Sequence, residues 1–277
     1  QKTTNATGPE LANLNDQFRG MAREIPISAS ALADIGATAA QLGVQTPNIA
    51  AFTETIAKLQ TATNIVGEEG ATDLARFINV AGESQANVER LGSAIVDLGN
   101  NGASTEREIL AMATRIGSAG RTVGLTAPQI LGLANALSSV GLEAEMGGTA
   151  ASMILLRIWS AAQRGVESVG EFAEVADMLP ETFHRLVQTD PAAAMVAFAV
   201  GSQTAYERGI DLESVLSDIG LSGMRAQDTI RRIAGAQDLV TSSMRMGTEA
   251  YRDNVALQRE FELFANTTES RLRLLVN

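Results

Sequence analysis

Apolar positions along the chain recur at intervals of three and four residues, a period that predicts helices almost throughout. The stretch "GLTAPQILGLANALSSVGLEAEMGGTA", residues 124–150, shows the pattern with its punctuation. Ile130, Leu133, Ala134, Leu137 and Val140 share one face, Thr126 and Gln129 suit a capping box, and Pro128 sits where a first turn tolerates proline. Gly141 stops the run, and Gly147 with Gly148 interrupts the chain before an apolar helix over 149–163. Pro128, Gly141, Gly147 and Gly148 are therefore expected to be structural turn residues, the glycines at helix ends where positive φ is common. Earlier helices are predicted at 11–24, at 28–42 with Ser28 or Ser30 as cap, and from Thr46 with Ile49, Phe52, Ile56 and Leu59 on one face. Others follow at 72–80, 85–98 and 105–116, the last behind a Thr105/Glu108 capping box, with "GNNG" at 99–102 read as a turn. Beyond residue 163 the pattern gives helices at 170–178, 180–187, 212–219 and 224–233, and one from Asp190-Pro191 through residue 208. A single long helix is predicted from Thr248 to about residue 276.

Strand-like alternation is scarce, so the fold class is all-α: a compact multi-helix domain over 1–246 and a long coiled-coil-like helix over 247–277. An internal repeat adds to this. Gly43, Pro47 and Ile49 recur as Gly124, Pro128 and Ile130 at a constant offset of 81, the distance from Pro47 to Pro128. The repeated unit reads as a helical hairpin, at 43–79 and again at 124–163, with a different pair of helices between the copies.

Composition narrows the function classes. The chain has 277 residues with a net charge of -11, and diffuse negative charge gives no basic stripe for a phosphate backbone, so no specific nucleic-acid binding is expected. The one basic doublet of note, Arg231-Arg232, fits a solvated helix face. Cysteine is absent, which removes disulfides, thiolate nucleophiles and cysteine-based zinc sites. No apolar run is long enough to span a bilayer.

Candidate chemistry is thin. His184, the single histidine, stands near Glu181 without further ligands, and neither HExxH nor a Cys/His cluster occurs. Glu68/Glu69 and Glu143/Glu145 precede helix starts, where they suit the macrodipole. Glu83-Ser84 matches the acid-bearing pair of lytic transglycosylases, but the Gly-Leu-Met-Gln type stretch that follows it there is missing, so a helix lead-in is the better reading. No phosphate-binding loop is present. The chain is expected to have no catalytic, cofactor or metal residues and not to be an enzyme.

Residues 124–150 resemble the most recognisable stretch of the tail tape measure proteins of long-tailed phages and prophages. The likeness continues through "EFAEVADMLPETFHRLVQTDPAAAMVAFAVG" at 171–201, "LSDIGLSGMRAQDTIRRIAG" at 216–235 and "NVALQREFELFANTTESRLRLLVN" at 254–277. The resemblance implies a helical protein of the virion, in the tail tube lumen or tail tip and in the host cytoplasm during assembly. It implies that such a protein sets tail length, with tail tube, distal hub and assembly chaperone proteins as partners. It also implies release ahead of DNA in genome ejection, with host membrane contact through parts not present here. Family members are usually much longer, which implies a segment of a larger chain. Two other classes stay open: a free-standing helical protein-binding module, which the repeat supports, and an envelope-degrading enzyme domain.

The C-terminal stretch bears on self-association. Leu257, Phe261, Phe264, Thr268, Leu272 and Leu275 are spaced 4, 3, 4, 4 and 3 residues apart, a heptad-like seam with one stutter. Such a stripe serves packing on the chain's own core as well as contact between copies. The resemblance favours a homotrimer joined through residues 250–277.

Overall fold

The computed structural model describes residues 7–267. Helix starts follow the caps written in the sequence. α1 (Gly8–Met21) begins at Thr7, whose box partner is Glu10, and α2 (Ala29–Gln41) begins at Ser28, whose hydroxyl accepts from the amide of Ala31. α3 (Thr46–Ala62) and α4 (Gly67–Ala81) follow, with Pro47 in the first turn of α3. A short 3₁₀ turn at Gln85–Asn87 leads into α5 (Val88–Asn101). Both remaining capping boxes form: Thr105/Glu108 opens α6 (Glu106–Thr122), and Thr126/Gln129 opens α7 (Ala127–Ser139). A π-turn at Ala144–Gly148 runs into α8 (Thr149–Gln163). The second half continues with α9 (Gly170–Val175), α10 (Pro180–Thr189) and α11 (Pro191–Thr204), the last capped by Asp190 as its Asp-Pro start predicts. α12 (Leu212–Asp218), α13 (Met224–Ala234), α14 (Gln237–Asp253) and α15 (Ala256–Ala265) complete an all-α fold, with no strand among the described residues.

The match between the two repeat segments extends one helix further back than the sequence reading. α2, α3 and α4 pack on one another as a unit, and α6 packs on both α7 and α8 in the second unit. The offset of 81 reaches back to Gly36 and Gly117, buried in α2 and α6. A Cβ on Gly36 would stand 2.7 Å from Phe18, and one on Gly117 would stand 2.6 Å from Val80, so both helices use the same glycine for close approach. Gly43 and Gly124, at φ +88 and +91, make the same left-handed turn before the proline-led helix. Because α6 belongs to the second unit, only α5 and its 3₁₀ lead-in separate the copies, not a pair of helices. α4 against α6 joins the two units, and α5 lies between α3 and α7.

Several boundaries differ from the periodic reading. The "GNNG" turn lies largely inside α5: Asn101 donates to the Asp97 carbonyl at 2.8 Å, Asn100 donates to Glu260 at 3.1 Å, and the helix leaves only at Gly102. Gly147 and Gly148 are not positive-φ residues. They belong to the π-turn, where a Cβ would meet Leu142 at 2.8 Å and Arg115 at 2.9 Å respectively, so close packing explains them. α11 ends at Thr204, ahead of the predicted 208, because Tyr206–Arg208 forms a separate 3₁₀ turn.

The single C-terminal helix is the largest difference. Helix begins earlier, at Gln237, and breaks at Asn254, which takes the left-handed conformation at φ 53 and ψ 43. The expected boundary between residues 246 and 247 falls inside α14, which packs on α7 and α5. Asparagine tolerates that conformation, and the bend lets α14 bury against α7 and α5 while α15 buries against α3 and α5.

Gly141 does hold a left-handed cap, at φ +75. Its Cβ would meet only the tip of Arg232, at 3.2 Å, so the cost of a side chain there is backbone strain. Gly141→Val should lose about 1–2 kcal/mol. A urea titration showing an unchanged midpoint would refute the assignment.

Candidate interaction surface

The residues of the C-terminal seam do not share one environment. Leu257 and Phe261 are buried in the chain's own core, in a groove between α3 and α5. Lys58 of α3 lies over the Phe261 ring at 5.9 Å. Phe264 is 44% exposed beside Leu263 at 64%. Thr268, Leu272 and Leu275 lie outside the described residues. The bend between α14 and α15 is held by α5. Ser93 is buried and donates to the Asn254 side chain at 3.1 Å, while its oxygen accepts from the Leu257 amide at 3.4 Å. Arg90 donates to the last carbonyls of α14, those of Tyr251 and Arg252, at 3.3 and 3.1 Å.

α14 reaches α7 through glycine and a polar network, neither of which periodicity singled out. Gly132 of α7 lies against the backbone of Ser243 and Met244, and Gly247 of α14 lies against the Pro128 carbonyl. Beside them the buried Asn135 donates to Ser243 at 3.0 Å and accepts from Ser104 at 2.7 Å. Pro128 is thus a buried contact as well as a first-turn residue. The signal that could have found α14 is the three-four spacing Val240, Ser243, Gly247, Ala250, which small and polar residues disguise.

Charges near this surface are perturbed by burial. Burial raises the Asp97 carboxyl above its usual range, Glu249 adds to the effect, and Arg259 opposes it. Burial likewise raises Glu106, with Glu260 adding to it, and raises Asp73 beside Glu69. The Tyr251 phenol is pushed up to about 12, first by burial and then by Glu83. A carboxylate whose folded pKa is raised binds protons more readily folded than unfolded. Its ionisation therefore takes stability away as pH climbs through the folded value. Asp97→Asn should accordingly melt higher than the parent at pH 7, with the advantage gone below about pH 4, the unfolded value for aspartate. Thermal unfolding at both pH values checks this.

A groove of about 880 Å³ opens between α11 and α14. Val196, Val200, Val240 and Met244 form its floor, and Asp190, Arg245, Glu249 and Arg252 stand at its rim. Arg245 pairs with Glu249 at 3.4 Å and Arg252 with Asp253 at 3.0 Å, while Asp190 caps α11, so the charges are engaged locally.

The other candidates from the sequence also resolve into structural roles. His184 Nε2 hydrogen-bonds the Ala162 carbonyl at 3.0 Å. Glu83 accepts from the Ser84 amide and the Asn87 side chain, both at 2.8 Å, at the entry to α5. Glu68 and Glu69 stand in the first turn of α4, where Glu69 pairs with Arg107. Glu143 and Glu145 open the π-turn. Arg231 and Arg232 both pair with Asp228, and Arg232 also donates to the Val140 carbonyl at the end of α7, at 3.0 Å. Among the described residues no group of three or more His, Cys, Asp or Glu is placed to hold a metal, and no helix is long and apolar enough to cross a membrane.

A helical fold, engaged charges and glycine-mediated packing describe a building block, and comparison with known families says of what. Residues 15–197 match the model of the phage-related minor tail proteins. The chain belongs to that family. No curated protein and no solved structure matches it. Membership gives the chain a structural role in a phage tail, a location in the virion tail and association with other tail components. The matched span runs from within α1 to within α11, so it contains both copies of the repeat. The arm of α14 and α15 that covers them lies beyond the matched span.

Proposed function

We propose that this minor tail protein is the folded module of a tape measure protein, occupying the tail tube or tail tip and leaving ahead of DNA during ejection. The observation that carries the reading is the family match over 15–197. The likeness of residues 124–201 to the tape measure stretch supports it. A ruler of continuous helix advances about 1.5 Å per residue, whereas a domain of this length folded on one core is only about 50 Å across. The module therefore adds little to a measured length and serves as a folded knot on the ruler, with tail tube, distal hub and assembly chaperone proteins as its partners. Self-association of three copies through residues 250–277 belongs to the same reading. An in-frame deletion of residues 7–267 in the encoding phage, scored by electron microscopy, tests the role. Missing or misassembled tails are expected, and normal tails of unchanged length would refute it. The groove between α11 and α14 favours a second reading, a helical module that captures a partner segment outside any tail. Immunogold labelling confined to tails would set that reading aside.

A further inference from the structure

We propose that α15 is an exchangeable arm, and that the groove between α3 and α5 takes α15 from a second copy of this chain as well as its own. The inference rests on the joint and does not depend on the tail role. Only Asn254 and Val255 separate α14 from α15, and only those two leave helical backbone, at φ 53, ψ 43 and φ -121, ψ -18. Returning both to helical angles would give one helix from Gln237 to Ala265, roughly 44 Å long at about 1.5 Å per residue.

The side chains support that continuous form. The buried face of α14 runs Val240, Ser243, Gly247, Ala250, and α15 buries Leu257 and Phe261 on the same line, with Ala256 beside them. Asn254 falls between the two runs, so the whole line keeps an unbroken spacing of three and four residues through the bend. That register is the one an uninterrupted helix would carry. The bend persists because Leu257 and Phe261 bury against α3 and α5, and because Ser93 ties Asn254 to the Leu257 amide. A straight helix would carry Leu257 and Phe261 away from their own groove. That exposes two large apolar side chains and empties an apolar slot of matching shape. A second copy in the same state supplies both halves of the match, so each arm fills its neighbour's slot and the joint alone changes conformation. The smallest closed product is a reciprocal dimer, and a larger ring satisfies every groove equally.

Because the chain has no cysteine, the contact can be read covalently in the full chain. A Cβ on Gly92, in α5, would stand 2.9 Å from Leu257 Cδ2. Chains carrying Gly92→Cys alone and Leu257→Cys alone, mixed at high concentration and oxidised, should give a heterodimer joined by a disulfide on a non-reducing gel. Each chain oxidised by itself should give at least tenfold less dimer. Asn254→Ala, which disfavours the left-handed joint, should raise the yield of oligomer seen by light scattering several-fold at equal concentration, and Asn254→Gly should lower it. Absence of the mixed disulfide at several hundred micromolar would overturn the exchange, including if Asn254→Ala fails to fold, since the cysteine pair is read with Asn254 intact. Oligomers of Asn254→Ala that form without the link from 92 to 257 would also overturn it, and would place the contact at exposed Phe264.

Discussion

Gly132→Val should leave no cooperative unfolding transition, and Gly132→Ala should lower the stability of the chain by about 2–3 kcal/mol. Alanine is the better helix former by about 1 kcal/mol, so propensity alone predicts a gain. Geometry decides the sign. The added Cβ would stand 2.5 Å from both the Ser243 carbonyl oxygen and Met244 Cα, which are backbone atoms that cannot rotate aside. α7 and α14 would have to separate, and the interface that opens includes the 3.0 Å bond from Asn135 to Ser243. Leaving those buried groups unpaired costs a further 1–3 kcal/mol or so, against a total stability of roughly 5–15 kcal/mol for a domain. Gly20→Ala is the control. Nothing lies within 4 Å of the Cβ it would add in α1, so the same substitution there should stabilise slightly. Urea titrations of the three variants read the difference, and a Gly132→Val midpoint equal to the parent's would show that the crossing is not close.

Arg208→Met should cost about 3 kcal/mol, the second largest effect expected. The guanidinium donates to the carbonyls of Glu174, Val175 and Gly201 at 2.8, 2.6 and 2.7 Å, and it lies 3.4 Å from Asp177. It thus closes the end of α9 and fastens it to α11 at the point where a Cβ on Gly201 would run into the Val175 carbonyl. Methionine keeps the apolar stem and removes every donor, leaving the Val175 carbonyl without its partner at a tight crossing, while the Glu174 carbonyl keeps the Asp177 amide and the Gly201 carbonyl the Thr204 hydroxyl. Arg208→Lys should fall between, because one ammonium cannot span three acceptors. Hydrogen exchange should localise the loss to α9, and protection there unchanged in Arg208→Met would refute the role.

Fold class and most helix starts were legible in the order of residues alone. These depend on contacts within a few residues: a Thr hydroxyl and a Glu or Gln three positions on, a proline in a first turn, a glycine that can take positive φ. The match of Gly43 and Gly124 was legible because the same local turn is made twice. Where α5 ends, that α6 packs on both α7 and α8, and that the C-terminal helix bends at Asn254 could be read only from the folded chain. Each of those depends on partners distant in sequence, such as Glu260 for Asn100 and Ser93 for Asn254. The heptad-like stripe of the C-terminal stretch shows the division most clearly. Periodicity established that Leu257 and Phe261 share a buried face, but a helix buries the same face whether the groove that covers it belongs to its own chain or to another. The packing of α15 on α3 and α5 assigns that cover to the chain's own core, since two helices already held side by side bury the arm without the entropy lost in bringing a second molecule to it.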